Sequence, residues 1–137
     1  MHAIALAAAT LVGCGPDDYN PGPETCDRSE KRNPPVRYTD GTVENGVYMT
    51  SPWDEDLLFF PGGMHYELVH GLGQVPRYFE AYVSFDPDGT KGGTIGIASG
   101  NQVELVRVND QTMVVRNGEC VDYYLLVVAG TGEGSAP

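Results

Sequence analysis

Basic side chains are scarce in this sequence. Lys and Arg together number 8, against 19 Asp and Glu, and the formal net charge is −11 at pH 7. Nucleic-acid phosphates are bound through Lys and Arg, and anionic lipid surfaces attract basic segments. The composition therefore argues against a nucleic-acid partner and against direct docking on an anionic membrane surface. Acidity of this kind is typical of a soluble domain in an extracytoplasmic space.

No apolar run is long enough to span a bilayer. Residues 3–12 (AIALAAATLV) form a run of ten, whereas a spanning helix needs roughly 20 residues. A short run followed by small residues is typical of the core of a signal peptide. Only Met1 and His2 precede it, so either the true start lies upstream or the export signal is weak. The alternative interpretation is a short N-terminal core helix.

Residues Leu11-Val12-Gly13-Cys14 resemble the lipobox of bacterial lipoproteins. The resemblance implies that residues 1–13 are removed as a signal peptide and that Cys14 becomes the lipidated first residue of the mature chain. Several acyl chains on one residue give stable anchoring. The resemblance implies an exported protein, anchored in the bacterial cell envelope at the outer membrane or cell surface rather than the inner membrane.

Cysteine is also rare. Lipidation of Cys14 leaves Cys26 and Cys120 among the three cysteines of the chain. An exported compartment permits disulfides, so we predict that these two are paired. Free or intermolecularly paired thiols are the alternative. Zinc needs more ligands than two isolated cysteines, and we expect neither a metal nor a cofactor.

Composition divides the mature chain into three parts. Residues 14–35 are rich in proline and charged residues and cannot bury enough surface to fold alone, which indicates a tether that holds the domain off the membrane. Residues 36–130 are expected to form one domain, and residues 131–137 a disordered tail. A pairing of Cys26 with Cys120 would pin the second half of the tether to the domain.

Sustained helical periodicity is absent after residue 35, and short strand-like segments alternate with Gly and Pro turns. This pattern predicts a small all-β domain, an antiparallel β-sandwich of about seven to nine strands. Residues 78–85 alternate most clearly, with Phe79, Ala81, Val83 and Phe85 on one face. The predicted strands cover residues 43–50, 57–60, 64–70, 78–85, 94–98, 103–108, 112–116 and 121–128, the last being apolar on both faces and therefore central.

The segment 69–76 (VHGLGQVP), running into 78–83, resembles an element of phage tail-fibre and H-type-lectin-like domains. The closing segments 113–117 and 123–129 are similar to the way such domains end, and the likeness covers about the last 75 residues. It implies a β-sandwich that forms a homotrimer and binds sugars at subunit boundaries. No sugar-contacting residue can be carried over, and the disulfide and lipid anchor are not part of that pattern.

No catalytic constellation is found. Asp86-Pro87-Asp88-Gly89 begins like a calcium loop but lacks the later ligands, and a plain turn is expected. His65, Glu67 and His70 have the wrong spacing for a zinc protease, and we expect surface or turn histidines. Ser99 is one position out of register for a nucleophile elbow. We therefore expect a protein that is not an enzyme.

Aromatic side chains are the remaining signal. Trp53, Tyr78 and Tyr82 are predicted in loops or on the polar strand face, where such rings stack on sugars or anchor protein partners. The alternative is that they only cover the edge of the core. Two functions stay open: a module that recognises glycan or cell-wall polymer, and a structural or assembly lipoprotein that docks an envelope protein. Clustering of the three rings in a concave patch favours the first, and a bare edge strand favours the second.

Overall fold

The computed structural model describes residues 26–132. The predicted signal peptide, Cys14, the first part of the tether and residues 133–137 lie outside the described residues. No helix within 26–132 is long and apolar enough to cross a bilayer. The described part of the chain forms an all-β sandwich, as the sequence predicts.

Ten short strands build two packed sheets in the described part of the chain, slightly more than the seven to nine predicted. The smaller sheet has the order β1-β5-β9-β8, and the larger has the order β2-β3-β10-β6-β7, with β4 also pairing with β10. The strands are β1 Val36–Tyr38, β2 Thr42–Glu44, β3 Val47–Met49, β4 Leu58–Phe60, β5 His65–Val69, β6 Tyr78–Ser84, β7 Ile95–Ile97, β8 Glu104–Val108, β9 Thr112–Arg116 and β10 Tyr123–Gly130.

The predicted strand at residues 43–50 is wrong, because the structure folds this segment into a hairpin of β2 and β3. Thr42 pairs with Met49, and Glu44 pairs with Val47. Asn45 and Gly46 both have positive φ, 50° and 74°. Asn-Gly is the dipeptide that most readily adopts two left-handed residues in succession, so it reverses the chain where the apolar pattern alone reads as continuous.

The central position predicted for residues 121–128 is confirmed. β10 pairs with β6 along seven residues on one edge, and with β3 and β4 on the other. Leu125, Leu126 and Val127 are completely buried. A strand covered on both faces needs apolar side chains at successive positions, which is why this segment shows no alternation.

The core lies between the two sheets and takes alternate residues from the two longest strands, β6 and β10. On β6 the predicted alternation holds, with Ala81 and Val83 buried. Phe85 departs from it, because β6 ends at Ser84 and the ring is 68% exposed. The core cluster comprises Tyr48, Phe60, Leu68, Ala81, Val83, Met113, Val115, Tyr123, Leu125, Val127 and Ala129.

The segment 26–35, expected as the second half of a tether, is attached to the smaller sheet. Cys26 and Cys120 form the predicted disulfide, with 5.2 Å between their Cα atoms. The Asn33 side chain donates to the carbonyl of Gly63 at 2.7 Å. The chain then enters β1, which pairs with β5 in parallel, unlike the other strand pairs of the described residues.

Candidate functional site

The three predicted binding aromatics are found on the outer face of the larger sheet, the side turned away from the core. Paired residues on neighbouring strands share a face. Tyr78 belongs to the cross-strand row Tyr78, Gly130, Val47 and Glu44, and Tyr82 to the row with Leu126. Tyr78 and Tyr82 lie four positions apart on β6, and the even spacing places both rings on this outer face.

Trp53 reaches the same face from the loop between β3 and β4. Both strands pair with the same edge of β10. Thr50, which follows β3, fixes the start of the loop to β10, because its hydroxyl accepts from the Val127 amide at 3.0 Å. The loop then leaves the sheet, and the indole packs edge-on against Tyr82 with 5.6 Å between ring centroids. Leu126, the partner of Tyr82 on β10, is completely buried although it lies on this outer face. The loop therefore covers the sheet and presents Trp53, which is 47% exposed.

Tyr78 owes its position to a glycine. Gly130, its partner on β10, has no side chain, and a Cβ atom there would overlap the Tyr78 ring. The ring therefore leans over β10 towards Val47 on the next strand. Tyr78 remains 40% exposed.

A groove of about 620 Å³ runs along this face between the β2–β3 hairpin and the loop that carries Trp53. Its volume falls within the range of roughly 300–1,000 Å³ that is typical of ligand pockets. The lining is mostly apolar, with one charged side chain, that of Glu44. The lining residues are Thr42, Val43, Glu44, Asn45, Val47, Met49, Pro52 and Trp53.

The polar groups of this face are carboxylates and hydroxyls. Tyr82 donates its hydroxyl to Glu80 at 3.1 Å, and this hydrogen bond to the carboxylate raises the pKa of Tyr82. Glu44 is exposed on the same face, on the edge strand β2. Among the described residues, neither Glu44 nor Glu80 takes part in an ion pair. The face therefore carries uncompensated negative charge beside exposed rings.

Comparisons with protein families, with curated proteins and with solved structures find no significant match to this chain. The likenesses to the lipobox and to the H-type-lectin and tail-fibre domains remain predictions. What the groove binds therefore has to follow from its shape and chemistry.

The expectation of surface or turn histidines is wrong for His65, which is buried in β5, whereas His70 does lie in the turn after β5 but is buried there; each is only 1% exposed. The Nε2 of His70 lies 3.0 Å from the carbonyl of Asn109, and its Nδ1 accepts from the Leu72 amide at 3.1 Å. A ring held at both nitrogens fixes the turn after β5 and is not available to a ligand. His65 is close enough to Glu30 of the N-terminal segment to interact with its charge, and its Nδ1 has no hydrogen-bond partner among the described residues.

The other residues that resembled known sites lie in ordinary turns. Asp86 and Asp88 are exposed, and the amide of Gly89 donates to the Asp86 carbonyl at 3.3 Å. Ser99 is exposed after β7, where its amide donates to the Gln102 side chain. Within residues 26–132, no group of three or more His, Cys, Asp or Glu side chains is placed to hold a metal ion.

The sequence interpretation missed two residues of this face, Glu44, which lines the groove, and Gly130, which makes room for the ring of Tyr78. Glu44 could have been found from the Asn45-Gly46 turn, which fixes the register of the hairpin and hence its face. Gly130 gives no such signal, because its role depends on the ring of Tyr78 on another strand.

A second groove, of about 230 Å³, lies at the opposite edge of the larger sheet, along β7. Ile97 on β7 is 70% exposed and Phe85 is 68% exposed. Among the described residues, β7 pairs with β6 alone, so its other edge is open. This is an apolar sheet edge of the kind that can accept a further strand.

Proposed function

We propose that the protein is an exported lipoprotein, anchored through Cys14, whose β-sandwich is a non-catalytic module that recognises glycan or cell-wall polymer. The observation that carries this proposal is the half-exposed indole of Trp53, which lines the groove and packs on Tyr82. Sugar rings have apolar faces that stack on aromatic side chains, while their hydroxyls need polar partners at the rim. The outer face of the larger sheet offers both.

The orientation of the domain supports the same proposal. The N-terminal segment is held on the smaller sheet by Arg107 and Arg116, and its Cys26 is bridged to Cys120 in the β9–β10 loop. The groove lies on the outer face of the larger sheet. A tether that leaves from the smaller sheet therefore leaves the groove free to meet a polymer in the envelope.

A binding screen tests the recognition module. The full-length chain carrying Cys14→Ser, which prevents acylation, is held in mild detergent and screened against soluble glycans and cell-wall fragments. We expect saturable binding that Trp53→Ala or Tyr82→Ala weakens by about tenfold or more, because buried aromatic anchors dominate such contacts. Phe85→Ala, which removes an exposed ring from the other groove, serves as the matched control and should bind like the wild type. If the folded protein binds none of the sugars in the screen, the proposal is contradicted.

A separate experiment tests the anchor. Bacteria expressing the full chain are grown with a clickable palmitate analogue, and the label is followed on the purified protein. We expect the wild type to be labelled and to sediment with membranes, and Cys14→Ser to lose both properties. A wild-type chain that carries no lipid, or a Cys14→Ser variant that keeps it, rules out anchoring at this cysteine.

The edge at β7 favours a second candidate function, a structural lipoprotein that docks an envelope protein by strand addition. An extended segment could pair with β7 and cover Ile97 and Phe85. Ile97→Lys places a charge on this edge without touching the core, since Ile97 is exposed. Loss of a cross-linked envelope partner in Ile97→Lys, with no effect of Trp53→Ala, would support this function over glycan recognition.

A further inference from the structure

The charges around the groove indicate which charge its glycan ligand carries. We infer that the groove selects a positively charged glycan, an amino-sugar oligomer whose amines are free rather than acetylated. This inference rests on the proposed glycan recognition and adds the charge of the ligand. The deciding juxtaposition is that Glu44 and the indole of Trp53 line one groove to which the described residues contribute no basic side chain.

The basic side chains that would attract an acidic glycan lie elsewhere. Arg37, Arg107 and Arg116 belong to strands of the smaller sheet, and each forms an ion pair there. Lys91 is paired with Asp56. These four cations are neutralised by their partners, and Arg77, exposed just before β6, does not line the groove. An anionic polymer approaching the groove therefore meets repulsion from Glu44 and Glu80, whose carboxylates form no ion pair within the described residues.

Both carboxylates point to the outer face, on adjacent cross-strand rows. Glu44 shares its row with Val47, Gly130 and Tyr78. Glu80 shares the next row with Val128, Met49 and Thr42, which also lines the groove. An oligomer lying across the sheet from one carboxylate towards the other crosses the apolar groove floor between them.

The rings and the carboxylates suit one ligand chemistry together. An ammonium group forms charge-assisted hydrogen bonds to a carboxylate and is attracted to the face of an indole. The apolar faces of the sugar rings would pack on Val47, Met49 and Trp53. An inorganic cation has no apolar surface and would leave these side chains uncovered. A neutral acetylated sugar would leave Glu44 without a partner of opposite charge.

The experiment compares two oligomers of equal length that differ only in charge, a glucosamine oligomer and its N-acetylated counterpart. Trp53 is the single tryptophan of the chain, so its emission reports occupancy of the groove, and calorimetry supplies the affinities. The protein is the full chain carrying Cys14→Ser in mild detergent. We expect the glucosamine oligomer to bind about tenfold tighter, with an advantage that declines as salt is raised.

Glu44→Gln is the decisive variant, because it removes the charge and keeps the shape. It should remove most of the preference for the free amine, keeping only the part that Glu80 supplies, and leave affinity for the acetylated oligomer unchanged. An undiminished preference in Glu44→Gln overturns the inference. Asp110→Asn, the matched control, removes an equal charge from the exposed β8–β9 turn and should retain the preference.

Other outcomes separate this inference from the proposed function. Equal binding of both oligomers overturns the charge selection while glycan recognition stands. If neither oligomer binds and the screen is negative for all sugars, both the charge selection and the proposed glycan recognition are contradicted. A lysine oligomer that binds as tightly as the glucosamine oligomer, and that still binds Trp53→Ala, shows attraction to the acidic surface alone and overturns the inference.

Discussion

Glu30, in the N-terminal segment, accepts both guanidinium arms of Arg107 on β8, at 2.9 Å for Nη1 to Oε2 and 2.5 Å for Nη2 to Oε1. The pair joins two residues 77 positions apart. It holds the segment over the outer face of the smaller sheet, where Arg116 also donates to the carbonyl of Arg28 at 3.5 Å. The segment is therefore fastened at several points, of which the Cys26–Cys120 disulfide is the covalent one.

Loss of the Glu30–Arg107 pair should loosen the N-terminal segment only when the Cys26–Cys120 disulfide is reduced. Exposed ion pairs contribute little to stability when the groups they join are already tethered. We expect Glu30→Gln to leave the melting temperature of the oxidised protein nearly unchanged and to speed proteolysis at residues 27–35 in the reduced protein. Limited proteolysis with mass spectrometry, with and without reductant, measures this. Equal cleavage of Glu30→Gln and wild type under reduction would show that the pair does not hold the segment.

Removing the disulfide should destabilise the whole domain. Cys26 and Cys120 are separated by 94 residues, and closing so long a loop in the unfolded chain stabilises the fold by up to about 4–5 kcal/mol on the chain-entropy model. Urea unfolding of wild type and of Cys26→Ser/Cys120→Ser gives the difference. A loss below about 1 kcal/mol would mean that the unfolded chain gains almost no freedom when the bridge is absent.

His65 should make stability fall in mild acid. Burial lowers the pKa of His65, and Arg116 and Arg107 lower it further, whereas Glu30 and the Gly63 carbonyl act in the opposite direction. Since the folded-state pKa lies below the ordinary value of 6.5, the unfolded chain binds the proton first, and stability decreases as pH falls through 6.5 towards the folded-state pKa.

Melting temperatures between neutral pH and about pH 5 test this effect. His65→Leu has no ring to protonate, so its melting temperature should depend less on pH over this interval. An identical pH dependence in wild type and His65→Leu would assign the acid sensitivity to other groups.

Asn117→Ala should be strongly destabilising. Asn117 is completely buried, and its Nδ2 donates to the carbonyls of Phe60 at 3.0 Å and Val121 at 2.8 Å. Its Oδ1 accepts from the Glu119 amide. Truncation leaves these buried groups without partners, and we expect a loss of about 2–4 kcal/mol in the free energy of unfolding. Asn101→Ala, at an exposed position, is the control and should change stability by less than about 0.5 kcal/mol.

Gly130→Ala should weaken ligand binding without unfolding the domain. The added methyl group would overlap the ring of Tyr78, which is 40% exposed and can swing outwards. We expect the melting temperature to stay close to that of the wild type and the affinity of the groove for its glycan to fall as far as in Tyr78→Ala. Unchanged affinity in both variants would place Tyr78 outside the binding site.

Much of the fold could be predicted because the signals are local. The alternation on β6 concerns neighbours in the chain, and Ala81 and Val83 are buried as it predicts. The Asn45-Gly46 turn is also a local signal. It was missed because the apolar residues on either side of it favour one continuous strand over residues 43–50. The ends of strands are harder, since β6 stops one residue before Phe85.

The candidate site was predictable only in its parts. Trp53, Tyr78 and Tyr82 could be chosen as aromatics on polar or loop positions. That the three rings share a face could be known only from the register of β6 on β10 and from the path of the β3–β4 loop. The contribution of Glu44 required the register of β2 on β3 as well.

The sequence by itself determined the all-β class and the central strand, because side-chain alternation and apolar runs act through local geometry. The cysteine pair could be predicted from the cysteine count and the expected compartment, although its two residues lie 94 positions apart. The tertiary structure alone decided that Trp53 meets Tyr82, that Gly130 makes room for Tyr78, and that two buried histidines are structural. These contacts join residues far apart in the chain. Their distances follow from strand order and sheet packing, which no local pattern in the sequence specifies.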